Sequence, residues 1–166
     1  ENSTYRASFN YFDRTGTMRG DGPRYTRYSA TLAMDQTRGR FKFGQNFYYA
    51  YSDQVRLTND QWGNPIYATV LAIPTVGIYN DDFEGGFDGG NDTIHDQIAG
   101  NQVAFNTLKN NYLKRYRFLG SLYAEMEIVS GLKYRVNASY DRSDWLNHEF
   151  YPVFEVGSRH RNDIAF

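Results

Sequence analysis

A chain of 166 residues with 18 Lys and Arg against 19 Asp and Glu has a net charge of −1, which removes the broad cationic surface that nucleic-acid binding relies on. It contains no cysteine, so disulfide frameworks, thiolate zinc sites and cysteine nucleophiles are excluded together. Aromatic residues make up 17% of the chain (15 Tyr, 12 Phe, 2 Trp), yet its mean hydropathy is −0.69. No apolar run approaches the roughly 18 residues of a membrane helix, and the opening ENSTYRAS has no signal-peptide pattern. That excludes a helical membrane protein but not a membrane barrel, whose strands carry only alternating hydrophobicity.

Five segments alternate with a period of two, as strands with chemically different faces do. The first sets Tyr5, Ala7, Phe9 and Tyr11 against Arg6, Ser8 and Asn10. The second opposes Tyr28, Ala30, Leu32 and Met34 to Arg27, Ser29 and Thr31. The third has Phe41, Phe43, Phe47, Tyr49 and Tyr51 on one face, with Gln45 among them, and Lys42, Gly44, Asn46 and Ser52 on the other. Along the fourth, Tyr116, Phe118, Leu122, Ala124, Met126 and Ile128 face away from Arg115, Arg117, Ser121, Glu125 and Glu127. The fifth places Leu132, Tyr134, Val136, Ala138 and Tyr140 opposite Lys133, Arg135, Asn137, Ser139 and Asp141.

The connections divide by length. DQTRG (35–39) and VSG (129–131) are short glycine turns at one end of the strands. The connections 15–24 and about 53–114, and the stretch after the fifth strand, are long and fall at the other end. Short periplasmic turns opposite long extracellular loops is the asymmetry of outer-membrane barrels. The apolar face is also sorted by height. Tyr11, Tyr28, Tyr49, Tyr51, Tyr116, Phe118 and Tyr140 lie towards the long loops, and Phe41, Phe43 and Tyr134 towards the short turns. Between them come mainly Ala7, Ala30, Leu32, Leu122, Ala124, Val136 and Ala138. Two aromatic girdles around an aliphatic belt suit two headgroup interfaces and the acyl chains between. The pattern predicts an all-β, antiparallel, up-and-down transmembrane barrel segment of about five strands. Closure needs at least about eight strands, so residues 1–166 are expected to be part of a larger barrel. A soluble β-barrel or sandwich binding module, its apolar face turned inward, is the alternative.

The same residues carry a family resemblance. YRASFNYFDRTG (5–16), RYTRYSATLAMD (24–35) and FGQNFYYAYS (43–52) resemble successive barrel strands of SusC/RagA-type TonB-dependent outer-membrane transporters. AIPTVGIYNDD (72–82) resembles that family's proline-containing loop, and LGSLYAEMEIVSGLKYRVNASYD (119–141) its later hairpin. Thr31 departs from the arginine common in the second strand. The resemblance implies TonB-dependent import of oligosaccharides or peptides across the outer membrane of a Gram-negative bacterium. Its implied partners are a SusD-like surface lipoprotein, outer-membrane lipid and the TonB complex. The plug and TonB box of such proteins are not among these residues.

Candidate site residues follow from the faces and loops. Arg115, Arg117, Glu125, Glu127, Lys133 and Arg135 are expected to form a charge network facing a wet lumen, and in that position the carboxylates are not a glycosidase pair. In the long loop, Trp62, Tyr67, Tyr79, Phe83 and Phe87 offer rings on which a sugar or peptide could pack; packing within the loop is the competing role. NDDFEGGFDGGND (80–92) supplies Asp81, Asp82 and Asp88 as weak calcium candidates, against a plain solvated acidic turn, since the spaced calcium-loop pattern is absent. His95, His148 and His160 are scattered, and no hydrolase, phosphate-loop or dinucleotide motif appears, so no enzymatic activity and no other cofactor is expected.

Overall fold

The computed structural model describes residues 2–57, 65–90, 93, 100–157 and 160–165. Five long strands run in chain order: β1 (Asn2–Thr15), β2 (Arg24–Arg38), β3 (Phe41–Val55), β4 (Asn110–Val129) and β5 (Leu132–Phe150). Each lies beside its neighbours in sequence, in the order β1-β2-β3-β4-β5, so the sheet is an up-and-down antiparallel meander. Gly39 (φ 59°) and Gly131 (φ 85°) make the two tight turns, at a backbone angle that a side chain disfavours. The strands reach 14 to 20 residues, where about 9–11 tilted residues cross a bilayer and soluble strands average about 5–6. Among the described residues no strand covers the outer edge of β1 or β5, so the sheet is open at both edges.

The chain divides into two compact units. The first (Glu1–Arg14, Tyr25–Asp53 and Lys114–Leu146) is the body of the sheet. Its apolar side chains do not make a core. Ala50 is the one hydrophobic side chain buried there among the described residues, while Leu32 is 57% exposed and Val136 49%. Both edge strands are exposed along their whole length.

The second unit (Thr15–Arg24, Gln54–Leu113 and Asn147–Phe166) gathers the long connections and has a dry centre of its own. It contains α1 (Pro65–Leu71), α2 (Gln102–Leu108) and an antiparallel pair of short strands, β6 (Phe154–Val156) with β7 (His160–Asn162). Phe87, Ala104, Phe105, Phe154 and Val156 are buried together, with Val103 and Leu108 packed against them. The Lys109 ammonium lies 4.3 Å from the Phe105 ring centre and 4.5 Å from that of Tyr151, closing one side of this cluster by cation–π contact. Gly89 has no side chain because a Cβ there would fall 2.2 Å from the Val156 carbonyl oxygen.

Neither the helices nor the β6–β7 pair is marked in the sequence by periodicity. Helices of seven residues and strands of three are too short to display it. One side chain fixes the start of α2. The Asn101 Oδ1 accepts from the Val103 and Ala104 amides at 3.1 and 3.2 Å, and its Nδ2 donates to the Ile78 and Asp88 carbonyls, both at 2.7 Å. All four hydrogen-bonding positions of that amide are used, so Asn101 caps the helix and ties it to the preceding loop.

Asn101→Asp keeps the cap but sets a carboxylate against two carbonyl oxygens. Hydrogen exchange should accelerate at the α2 amides and around Ile78, and Asn101→Ala should destabilise the unit by about 1–3 kcal/mol. Unchanged protection in both variants would remove Asn101 from this role.

Candidate functional site

The sheet presents two surfaces, and its register decides what each contains. On the apolar surface four tyrosines from four adjacent strands form a continuous row. Ring centres are 5.1 Å apart for Tyr11–Tyr28, 6.5 Å for Tyr28–Tyr51 and 5.0 Å for Tyr51–Tyr116. A second line, Phe47–Phe118–Tyr140 at 6.1 and 6.2 Å, carries the aromatic band on to β5. Towards the short turns Phe41 and Phe43 stack at 6.1 Å.

One step beyond the tyrosine row the same surface turns polar. Thr26 Oγ1 donates to Asp13 Oδ1 at 2.6 Å, and the Tyr51 hydroxyl reaches Asp53 Oδ2 at 3.4 Å. Past Tyr140, Arg142 pairs with Asp144 at 2.7 Å. Alternation assigns all of these to the face of the tyrosines. The side chains thus change from aliphatic through phenolic to ionic along several strands at once.

The opposite surface holds the charges. Glu125 lies between Lys133 (3.9 Å) and Arg135 (3.7 Å), and Arg117 meets Asp141 at 3.3 Å. Arg115 stands 5.7 Å from the Trp145 ring centre. Glu127 joins through its backbone, its N–H donating to the Arg40 carbonyl at 3.0 Å. These exposed pairs contribute little stability individually, about 0–1 kcal/mol each, but they keep both signs of charge fixed on one wall.

The structure adds a feature that face alternation alone did not single out. Tyr123 lies across the backbone of β3, its hydroxyl donating to Asp35 on β2, with the Arg135 guanidinium 4.1 Å from its ring centre. The ring can lie there because position 44 is glycine. A Cβ on Gly44 would fall 1.9 Å from Tyr123 Cε1 and 2.7 Å from Asp35 Oδ1. Gly44 breaks the polar run of its strand, and only the cross-strand register explains why.

The loop aromatics are not brought together. Trp62 lies outside the described residues, as do Asp92 and His95. Tyr67 is exposed on α1, and Phe83 is half-buried in a turn. Tyr79 pairs with Phe87 at 5.5 Å between ring centres. Phe87 is only 7% exposed and belongs to the core, so it has no free face for a ligand and takes the packing role instead. Asp81, Asp82 and Asp88 are also not gathered. Among the described residues no three acidic, histidine or cysteine side chains converge on a point where a metal could bind. Asp88 accepts from the Gly90 amide at 2.9 Å, as an aspartate closing a turn does.

Against known proteins, the chain is 30% identical over 126 residues to TonB-dependent receptor P26 of Formosa agariphila. The likeness is to a TonB-dependent receptor. The matched region covers 75% of this chain and spans 12% of the length of that curated relative. No family model matches the chain.

Two outcomes test the site. Gly44→Ala should displace the Tyr123 ring and destabilise the sheet by about 1–3 kcal/mol, and Tyr123→Ala in the same chain should relieve most of that penalty. Additive losses in a denaturant series would show that the two positions are not in contact. Tyr151, just past β5, is held protonated. Burial, the hydrogen bond it donates to Glu149 and that carboxylate's charge push its pKa up to about 12. Its contribution to the fold is therefore complete below the ordinary phenol value of about 10 and is lost as pH rises through about 12. Ultraviolet titration should show a late tyrosine step near 12 that is lost in Tyr151→Phe.

Proposed function

We propose that this chain forms part of the transmembrane barrel of a TonB-dependent importer in the outer membrane of a Gram-negative bacterium, of the SusC/RagA kind. The observation that carries the reading is the apolar sheet surface. Its aliphatic belt is exposed among the described residues, and the belt is bordered by a row of tyrosines beyond which the surface becomes ionic. Exposed apolar area on that scale marks a surface made for something other than water. The likeness to TonB-dependent receptor P26 supports the same direction.

In this function the tyrosines rest at the outer headgroup level and the aliphatic belt meets acyl chains. Glu125, Lys133, Arg135, Arg117 and Asp141 line a wet passage, where paired charges keep the wall hydrophilic without a strong field of one sign. The ligand is an oligosaccharide or peptide delivered under a SusD-like surface lipoprotein. Opening is driven by the TonB complex acting through parts of the protein beyond this chain, and β1 and β5 pair with further strands there. No catalytic step is involved.

Leu32→Arg and Val136→Arg should each destabilise the folded barrel in detergent or lipid by about 2–4 kcal/mol, whereas Ser29→Arg on the opposite surface should be tolerated. The protein should leave the outer membrane only with detergent. Equal penalties on both surfaces, or a folded monomer in plain buffer, would point to a soluble binding module and end the import reading.

A further inference from the structure

Resting on the import reading, the second unit narrows the ligand. We infer that the cavity beside α2 binds a short peptide through an aliphatic side chain, with Arg19 and Asp88 at hand for the peptide's two charged ends. The cavity holds about 400 Å³, and its walls are mostly apolar, with Met18, Ile73, Val76, Ile78 and Val103 among them. No aromatic ring among the described residues lines it, and Tyr67, Tyr79, Phe83 and Phe87 all lie elsewhere in the unit. A saccharide site needs the reverse arrangement, a flat ring for the sugar's C–H face and a dense set of polar groups for its hydroxyls.

The polar atoms in the wall are few, and the best placed are already in use. Asn101 has its amide saturated by four hydrogen bonds. The Asn106 Nδ2 donates to the Arg19 carbonyl at 3.1 Å, and its Oδ1 accepts from Gln102 at 2.9 Å. The wall is mostly apolar, and each hydroxyl group that enters it and is left unpaired costs about 1–3 kcal/mol. Methyl and methylene groups would lose only unfavourable hydration. The charged groups in the wall are one cationic side chain, Arg19, exposed, and one carboxylate, Asp88, half-buried. Opposite charges bordering an aliphatic cavity complement a zwitterion with a branched side chain. A neutral oligosaccharide carries no charge to pair with either.

The test uses the whole detergent-solubilised protein and calorimetry with three probes: trileucine, trileucine amidated at its C-terminus, and maltotriose. Trileucine should bind, and maltotriose should neither bind the same site nor displace it. Ala72 is exposed at the cavity wall, so Ala72→Trp fills the space without disturbing the core and should weaken trileucine by about tenfold or more. Val76→Trp provides a second filled variant. Arg19→Gln should weaken trileucine by about tenfold and leave the amidated peptide unchanged, a difference that general loss of structure would not produce. Maltotriose competing for the site, trileucine failing to bind, or both filled variants binding it as the parent does would overturn the inference. Extraction behaviour and the Leu32 and Val136 variants report on the barrel separately, so a failed peptide site leaves the membrane reading standing.

Discussion

A broad apolar surface that its own chain leaves uncovered sets the terms for the rest of this molecule. Leaving a leucine or valine side chain in water forgoes about 1.5–3 kcal/mol of burial, and here the loss would repeat along every long strand. A soluble meander of this kind would fold a second layer over such a face. Instead the chain's hydrophobic centre is assembled elsewhere, from Phe87, Phe105, Phe154 and Val156 in the connecting segments. The sheet thus leaves its apolar contacts to be supplied from outside its own described residues.

The two surfaces of the sheet solve opposite problems with the same backbone. On one, side chains are graded by height: aliphatic, aromatic, then ionic. On the other, charges are paired across strands and Tyr123 is laid over Gly44 to reach Asp35. That contact locks three strands by shape and by a hydrogen bond together. It also lays a large ring flat against the sheet. A wall facing water has no hydrophobic packing to fix its register, and such contacts substitute for it.

The connecting unit is stabilised differently, by a small core and by Asn101, whose amide uses all its hydrogen-bonding capacity. Asn101 ties the start of α2 to two loop carbonyls, and Lys109 covers the aromatic cluster. Such a unit can hold a shaped cavity on otherwise irregular chain. Its walls are more aliphatic than the aromatic content of the whole sequence suggests, because several loop aromatics are exposed or committed to packing.

The period-two alternation by itself determined the long strands, their two faces and the sorting of aromatic residues by height, because alternation is a local property of an extended backbone. Gly39 and Gly131 marked the tight turns for the same local reason. Local pattern could not pair the strands. The row Tyr11–Tyr28–Tyr51–Tyr116 and the seat of Tyr123 over Gly44 exist only once register is set, and register is a relation between segments far apart in sequence. The tertiary structure also decided that Phe87 is core while Tyr79 beside it stays exposed. It formed α1, α2 and the β6–β7 pair from stretches too short to repeat a pattern. In those segments it is the contacts made, and not the spacing of residue types, that select the conformation.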